Sequence, residues 1–422
     1  MKTQTVILIV LLASGWSESL SQWTFTARIS SAQPHGVAVT PDGNVWIAAH
    51  GQTGDFLGGQ ALASIHVYQP DGSQAPFSPI RTITVEAVTD TLFRLDGGAR
   101  GITTDNNGNI LFSYRDKLFR IDYTTGLGTH RVVPKLGQAL TAAAATSTNT
   151  TPGDIVVGHV LEGNPIHVFD EDFTPVGQAT DSTKQIARTL AISADGNDMF
   201  FGATTGDGTV VYSSENGTPG PYSPTDTLFR GMITESFTWH PVTQRLWTSS
   251  RSEGADSVSG INWSANTWYE IDLSSNTLTD SITWQGGSTD FAGVPRGIAF
   301  SLSGDTAYVC GFEGHTIQVF SRTPALNVHQ EDLLPEQYSL DQNFPNPFNP
   351  ETRIRFSIPE GGLTRLVVYD IRGREVNTLL DRFVPRGVYT VPFNGAAISS
   401  GTYIYELLSG KHRLTRTMIL VK

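Results

Sequence analysis

Four basic side chains occupy the same position in successive copies of an internal repeat, directly before a short apolar segment. They are His35, Arg100, Arg188 and Arg296, with Ser236 and, less securely aligned, Thr141 in two degenerate copies. Guanidinium groups form paired hydrogen bonds with carboxylate, phosphate and sulfate oxygens. A ring of such residues therefore predicts a site for an anionic ligand. The alternative is that each arginine bonds neighbouring carbonyls and turn carboxylates and holds the repeats together.

The turns that follow these segments are rich in Asp, Asn and Gly, which raises the question of calcium. Asp105 to Asn109 offers alternate oxygen ligands, but no Glu completes a loop of the EF-hand kind. Asp-Gly and Asn-Gly are also the preferred residues of β-hairpin turns. The sequence favours the hairpin interpretation, and calcium binding stays the alternative.

Other catalytic and metal-binding signals are weak. His159 and His167 flank Glu162, a spacing that serves a metal only if folding brings the three together. The chain has no His-Glu-x-x-His pair, nucleophile elbow, phosphate loop or dinucleotide fingerprint. Its single cysteine, Cys310, excludes an internal disulfide and indicates a small buried side chain. We predict no cofactor and no catalytic residue, with a divalent metal as an open alternative.

Tryptophans cluster between residues 239 and 284. Trp239 and Trp247 lie in predicted strands and are expected in the core. Trp263 lies in the loop 260–266, where its ring could stack on a sugar. Aromatic side chains serve both purposes, because a large apolar face carries one polar edge.

The elements that position these residues form a repeat array. Each copy has an apolar strand, a Gly-containing turn and a second apolar strand, and a third strand often follows. Four clear and two degenerate copies fill about 300 residues, close to the length of a propeller blade each. The sequence predicts an all-β chain in which residues 23–322 form a six-bladed β-propeller. A seven-bladed propeller is the alternative if residues 69–95 fold as one more blade, and residues 23–29 are expected to pair with the last blade and close the ring.

The first copy, PHGVAVTPDGNVWIAA at residues 34–49, resembles the NHL, YVTN and virginiamycin-lyase-like group of propellers. The resemblance covers the middle of the chain and implies the fold. In the lyase-like members it also implies a metal and a histidine base. His35 stands at a suitable blade position, but the remaining catalytic residues have no match here. A metal-dependent lyase or lactone hydrolase is therefore the alternative to a binding protein.

Three separated motifs mark residues 338–422: NFPNPFNP at 343–350, VYDIRGREV at 368–376 and SGTY at 400–403. They resemble the type A C-terminal sorting domain of the type IX secretion system of Bacteroidetes-like bacteria. The matching sorting residues include Asn343, Pro345, Asn346, Pro347, Asp370, Gly373, Arg374, Glu375, Gly401 and Tyr403. Short apolar runs bounded by Gly, Pro, Asn or Asp predict a small Ig-like β-sandwich here. Residues 323–337 form the predicted linker.

The N-terminus carries an export signal. Lys2 precedes an unbroken apolar run from Val6 to Ala13, which is too short to span a bilayer and is typical of a secretory signal peptide. We assign residues 1–22 to it and predict no transmembrane segment. Export to the periplasm and sorting by the tail would place the protein outside the cell or on its outer surface.

Charge is divided unevenly between the parts. Residues 338–422 carry 11 Lys or Arg and 7 Asp or Glu, whereas the rest carries 17 and 33. An acidic body argues against nucleic acid as a partner. The expected partners are the type IX secretion machinery and, at the channel, an anionic glycan, a peptide or a surface protein. A purely structural surface protein is the third hypothesis.

Overall fold

A computed structural model of the protein describes strands and no helix, so the all-β prediction is confirmed. The described residues are 23–31, 33–50, 56–57, 60–93, 99–147, 152–204, 206, 208–286, 294–322, 337–359, 362–384, 387–396 and 398–422. The predicted signal peptide and nearly all of the predicted linker lie outside them. Within these ranges no helix is long and apolar enough to cross a membrane.

The first 29 strands lie between Trp23 and Arg322. They are β1 Trp23–Ser30, β2 Pro34–Val39, β3 Val45–Ala49, β4 Phe56–Leu57, β5 Gln60–Ala61, β6 Ser64–Tyr68, β7 Thr82–Val85, β8 Val88–Thr91, β9 Ala99–Thr104, β10 Ile110–Tyr114, β11 Lys117–Ile121, β12 Gly128–Val132, β13 Leu140–Ser147, β14 Pro152–His159, β15 Ile166–Phe169, β16 Pro175–Thr180, β17 Ala187–Ile192, β18 Asp198–Ala203, β19 Thr209–Ser213, β20 Ser223–Leu228, β21 Thr234–Trp239, β22 Leu246–Ser250, β23 Gly254–Ala255, β24 Asn262–Trp263, β25 Thr267–Asp272, β26 Thr277–Thr283, β27 Pro295–Phe300, β28 Thr306–Gly311 and β29 Thr316–Arg322.

Six antiparallel sheets follow one another along this part of the chain. Their strand orders are β2-β3-β6, β9-β10-β11-β12, β13-β14-β15-β16, β17-β18-β19-β20, β21-β22-β25-β26 and β27-β28-β29-β1. The first strand of each sheet packs beside the first strand of the next, and β27 packs beside β2. The sheets therefore form a closed ring of six blades, in which neighbouring blades bury one another's apolar faces.

The N-terminal strand closes the ring, as predicted. β1 pairs antiparallel with β29, and Trp23 stands opposite Arg322. The Trp23 indole packs edge-on against Trp247, with ring centroids 6.1 Å apart, and its Nε1 donates to Asp280 Oδ2 at 2.9 Å. The Arg322 guanidinium lies 4.8 Å from the Trp23 ring centroid. Chain segments almost 300 residues apart are thus joined in one blade.

Residues 69–93 do not form a separate seventh blade. Ile80 bridges to Ile65 at the outer edge of the first sheet, and β7 and β8 form an additional hairpin. The hexapeptide TDTLFR occurs twice in the chain, at residues 89–94 and 225–230. Residues 225–228 belong to the outer strand β20, whereas residues 89–91 belong to the hairpin strand β8. The same residue types therefore occupy different structures, because their neighbours decide what they pair with.

Short Asx-type turns join the first and second strands of the blades. Asp42 Oδ1 accepts hydrogen bonds from Thr40 Oγ1 at 2.6 Å and from the Asn44 backbone N–H at 3.2 Å. Asp195 binds Ser193 and Asn197 in the same way. Each carboxylate replaces a backbone acceptor and fixes its turn, which sets the register of the strand that precedes it.

Residues 337–422 form two further sheets around a core of their own. The strands are β30 Ser339–Leu340, β31 Glu351–Ile358, β32 Gly362–Asp370, β33 Glu375–Val384, β34 Gly387–Asn394, β35 Gly401–Ser409 and β36 His412–Leu420. The orders β30-β31-β34 and β33-β32-β35-β36 place buried residues of both sheets, among them Phe356 and Tyr405, in one cluster. This is the predicted small sandwich. β33 is an edge strand whose mixed polar and apolar residues give no clear strand pattern in the sequence.

Candidate functional site

The inner strands β2, β9, β17, β21 and β27 line a cavity of about 280 Å³ inside the ring. Near the beginnings of three neighbouring strands, Arg188 and Arg296 both contact Glu235. At the ends of two of these strands, Trp239 Nε1 donates to the Ile192 carbonyl at 2.8 Å. The strands therefore run in the same direction. We call the end at Arg188 and Glu235 the arginine mouth and the end at Trp239 the tryptophan mouth.

The second residue of every inner strand forms a ring at the arginine mouth. These residues are His35, Arg100, Thr141, Arg188, Glu235 and Arg296. The prediction is thus displaced by one residue in the fifth blade, where Glu235 and not Ser236 is equivalent to the arginines. Ser236 lies one position further along β21, is buried, and donates to Ser249 Oγ at 2.9 Å. Aligning ESFTW (residues 235–239) with RGIAF (residues 296–300) reveals this register from the sequence, with Glu235 at the position of Arg296.

Glu235 is the centre of an ion cluster that spans three blades. Its fully buried carboxylate accepts a short hydrogen bond from Arg296 Nη1 of the sixth blade. It also pairs with Arg188 Nη1 of the fourth blade at 3.4 Å and with Arg251 Nη1 at 3.8 Å. Three guanidinium groups face one carboxylate, so the cluster carries excess positive charge. The buried pair joins the blades, and the excess charge favours an anion nearby.

Arg188 is the most available of these groups that also lines the cavity. Its side chain is 31% exposed, against 5% for Arg296. Among the residues that the structure describes, its one hydrogen-bond partner is Glu235. A guanidinium has five N–H donors, so most of those of Arg188 are free to bind a ligand in the channel.

Aromatic and imidazole rings surround Arg296 near the same mouth. The Arg296 guanidinium lies 5.2 Å from the Phe312 ring centroid. The His35 and His50 rings lie 5.9 and 5.8 Å from that centroid and 6.3 Å from each other. His35 also lines the cavity. Arg296 is therefore held between a carboxylate and a ring, and does not itself reach the channel lining.

Arg100 and Thr141 are the remaining two residues of the ring. Arg100 belongs to β9, but its side chain lies outside the described residues, while the adjacent Gly101 lines the cavity. Thr141 is fully buried in β13. The ring prediction thus places His35 and Arg188 at the cavity and Arg296 behind it. A small residue follows each ring position. At Gly297 the reason is packing, because a Cβ there would lie 2.9 Å from the Val37 backbone nitrogen.

The tryptophan mouth has a different character. Trp239, Val39, Pro241 and Leu302 are half-buried and line the cavity there. Charged side chains do not line this end within the described residues. The predicted core role of Trp239 is thus partly wrong, because one side of it faces the channel. The sugar-stacking interpretation of Trp263 is also wrong, since its side chain is 4% exposed and packs against Gly254.

The candidate metal ligands have other contacts. Asp105 accepts backbone hydrogen bonds from Asn107 and Asn109 at 2.9 Å each and pairs with Arg120 Nε at 2.7 Å, while burial raises its pKa. The His159 and His167 rings lie 5.3 Å apart, but Glu162 is exposed. Burial lowers the pKa of His159 to about 4. Within the described parts of the chain, no three His, Cys, Asp or Glu side chains are grouped closely enough to hold a metal ion.

Several predicted sorting residues shape the first segment of the sandwich. Asn343 is buried, and its Nδ2 donates to the Pro345 carbonyl at 3.0 Å and to Thr352 Oγ1 at 2.9 Å. Its backbone N–H donates to Tyr405 Oη at 2.8 Å. The Asn346 side chain accepts a hydrogen bond from the Ile419 backbone at 2.9 Å. The proline-rich segment, which includes Pro347, is thereby attached to the sheets without regular pairing of its own.

The second and third motifs form a turn and a strand start. Asp370 Oδ1 accepts from the backbone nitrogens of Arg372 and Arg374 at 2.9 and 3.0 Å, and Gly373 adopts a φ of +77°. Glu375 begins β33 and pairs with Arg365 at 2.8 Å. Gly401 begins β35, and Tyr403 Oη donates to the Ser399 carbonyl at 2.6 Å. Most motif residues thus have structural contacts within the sandwich.

A family model described as "Secretion system C-terminal sorting domain" matches residues 342–422. Residues 342–422 are a secretion system C-terminal sorting domain. This confirms the resemblance to the type IX sorting domain, and the sorting domain implies interaction with the type IX machinery. The protein is therefore exported to the cell surface or the extracellular space. No curated protein matches the sequence.

Solved structures similar to this chain include other propellers. A chain of the mitotic checkpoint complex has 10% identity and a TM-score of 0.46, covering 76% of this chain and 98% of its own. The β-propeller domain of Myceliophteria thermophila Cps50 (Swd1) has 10% identity and a TM-score of 0.46, with coverage of 71% and 100%. PorZ, a surface component of the type IX system of Porphyromonas gingivalis, has 13% identity and a TM-score of 0.39. The match covers 92% of this chain and 51% of PorZ.

Proposed function

We propose that this exported propeller binds an anionic ligand at the arginine mouth of its channel. The three arginines around Glu235 leave the cluster with excess positive charge, although the body of the chain is acidic. A local cationic site on an acidic protein attracts anions over a short range, because salt screens charges beyond about 10 Å. Candidate ligands are an acidic glycan, a peptide carboxylate or an acidic group of a surface protein.

Arg188 carries this proposal. Its guanidinium lines the cavity and makes one hydrogen bond within the described residues, at the long distance of 3.4 Å. A group that served structure alone would have its donors satisfied by the protein, as expected for buried polar groups. Partial burial also strengthens its attraction for an anion, because the local dielectric constant is lower than in water.

Isothermal titration calorimetry on the full chain after leader removal tests the proposal, with inorganic phosphate, sulfate and acetate as probes. We expect at least one of them to bind and Arg188→Gln to weaken its binding about tenfold or more, the effect of removing a hydrogen bond to a charged group. Arg230→Gln is the matched control, since Arg230 is exposed and pairs with Asp226 away from the channel. Equal binding by the two variants, or binding of none of the probes by the wild type, would refute an anion site at this mouth.

A second candidate function for the same cluster is structural. Glu235 bonds to arginines of the preceding and the following blade, which supports a role in holding the ring together. Removing one partner of such a buried pair strands the other charge and typically destabilises a protein by several kcal/mol. If Arg188→Gln lowered stability without changing the affinity for any anion, the structural function would be the better account.

The catalytic alternative stays a prediction. A lyase or lactone hydrolase of the propeller type would carry a divalent ion in the channel, near His35, which supplies the imidazole among the described residues that line it. Mass spectrometry of the full chain, purified without chelator, measures this directly. A stoichiometric divalent ion that is lost in a His35→Ala variant would favour the enzyme.

A further inference from the structure

The two mouths of the channel differ in chemistry, and this difference restricts the ligand. The arginine mouth presents a partly free guanidinium, whereas the tryptophan mouth presents Trp239, Val39, Pro241 and Leu302. These four side chains are half-buried, so apolar surface faces the cavity at that end. Water against apolar walls is released when an apolar group replaces it, which favours binding.

We propose that the ligand is a small amphiphilic acid, with its carboxylate at Arg188 and its apolar body along the channel toward Trp239. This inference rests on the proposed anion site and adds the second half of the ligand. Val37, Leu190 and Ile298 of the inner strands also line the cavity between the two ends, but they are only 2–4% exposed and contribute little of its surface. Thr103, Thr104 and Thr238 line it as well, and more of the accessible surface is polar than apolar, so the proposal rests on the apolar end at Trp239.

The size of the cavity supports a small ligand. Its volume of about 280 Å³ lies just below the usual range of small-molecule sites, about 300–1,000 Å³. Glu235 and Trp239 are four residues apart on one strand, which corresponds to about 13 Å along the channel. A folded protein domain or a branched glycan could reach the mouth but could not occupy this space. A linear acid with a medium-length chain fits this length and volume.

Trp239 has a second property that suits it to the end of such a site. Its Nε1 is bonded to the Ile192 carbonyl, and its ring packs edge-on against Phe200 with centroids 6.0 Å apart. The indole is therefore fixed, and little side-chain entropy would be lost when a ligand contacts it. A fixed apolar surface at the far end discriminates between short and long acids.

The test is calorimetric titration of the full chain with acetate, butanoate, hexanoate and octanoate, and with octanol as the uncharged analogue. We expect affinity to rise about fourfold for each methylene that becomes buried. Octanol should bind at least tenfold more weakly than octanoate, because it lacks the charge that Arg188 recognises. Arg188→Gln should weaken the binding of every acid.

Val39→Thr keeps the shape of the side chain and makes the far end polar. It should weaken octanoate binding severalfold and leave acetate unchanged, while Val176→Thr, on an exposed position of β16, should change neither. Acids that bind through Arg188 with no dependence on chain length would overturn this inference and leave the anion site in place. Octanol binding equal to octanoate, or acids unaffected by Arg188→Gln, would overturn both. The tryptophan fluorescence of each variant, compared with the wild type, verifies that the propeller is folded.

Discussion

Glu235 of the fifth blade accepts a hydrogen bond from Arg296 of the sixth, and both side chains are buried where the inner strands begin. The two residues are 61 positions apart in sequence. The bond places an acid in a ring otherwise composed of basic and neutral residues. It explains how buried arginines are tolerated at the channel, since buried charges need a partner. It also leaves Arg188 as the less satisfied guanidinium, on which the proposed function depends.

Replacing Glu235 by Gln should destabilise the propeller by about 3 kcal/mol, because Arg296 and Arg188 would lose the buried carboxylate with which both of them pair. Urea unfolding followed by tryptophan fluorescence measures this. All eight tryptophans precede residue 285, so the signal does not report on the sorting domain. Glu253→Gln is the control, since Glu253 is exposed and nearby in sequence. Equal stability of the two variants would show that the ion cluster contributes nothing to the ring.

Trp23→Ala should destabilise the propeller by about 3–5 kcal/mol, the range for removing a buried aromatic side chain. Trp23 is 7% exposed and packs against Trp247 and Phe300, with centroids 6.1 and 5.8 Å away. The control is a substitution of Phe25 on the same strand, because Phe25 is 37% exposed. Thermal unfolding of both variants measures the difference. Phe25→Ala should have less than half the effect. If the two substitutions were equivalent, β1 would not close the ring through Trp23.

Stability of the propeller should fall as the pH drops from about 6.5 to about 4. The pKa of His159 is lowered to about 4 in the folded protein by burial and then by the neighbouring His167. The unfolded chain, with an ordinary histidine pKa of about 6.5, therefore binds more protons in this interval. The stability is fully present above that interval, and about 3 kcal/mol is lost across it. Unfolding free energies of the wild type and His159→Leu at pH 7, 5.5 and 4 measure the slope. A variant with the same slope would exclude His159 as its source.

Asn343→Ala should weaken the sorting domain by about 1–3 kcal/mol and reduce the exported fraction of the protein. The substitution removes the two hydrogen bonds that the buried amide donates to the Pro345 carbonyl and to Thr352 Oγ1, each worth about 0.5–1.5 kcal/mol. These two groups keep the 2.8 Å hydrogen bond between them. Immunoblotting of medium, surface and cell fractions in a host with a type IX system measures export. Asn377→Ala, on an exposed position of β33, should export normally. Normal export of both variants would mean that the structural role of Asn343 is unnecessary for sorting.

The sequence predicted the architecture well because local signals define it. Turn residues such as Asp42 and Asp195 recur in the four clear repeat copies, and they alternate with apolar strands whose length is fixed by the sheet. The closing strand at Trp23 was predicted for the same reason, since its apolar residues need a partner sheet. The hairpins β4-β5, β7-β8 and β23-β24 were not predicted as hairpins. Their strands are two to four residues long, too short for a reliable pattern.

The candidate site was harder to predict. Glu235 has the opposite charge to the residues at equivalent positions, and the following Ser236 was aligned with them in its place. What a ring position requires is a partner across the blade boundary, and either sign of charge can supply it. Contacts such as that of Arg188 with Glu235 join residues 47 positions apart. One sequence contains no direct signal for a pairing of this kind, and burial of the pair depends on how the blades pack.

The central claim, that Arg188 binds an anion in the channel, is tested most directly by nuclear magnetic resonance of arginine side chains in protein labelled with ¹⁵N-arginine. The Arg188 signal is assigned by its loss in Arg188→Gln. We expect octanoate to shift this signal in a saturable manner, with the same dissociation constant as calorimetry, and to leave the signal of Arg230 in place. An Arg188 signal that does not move while octanoate saturates the protein would refute binding at Arg188, because the acid would then bind elsewhere.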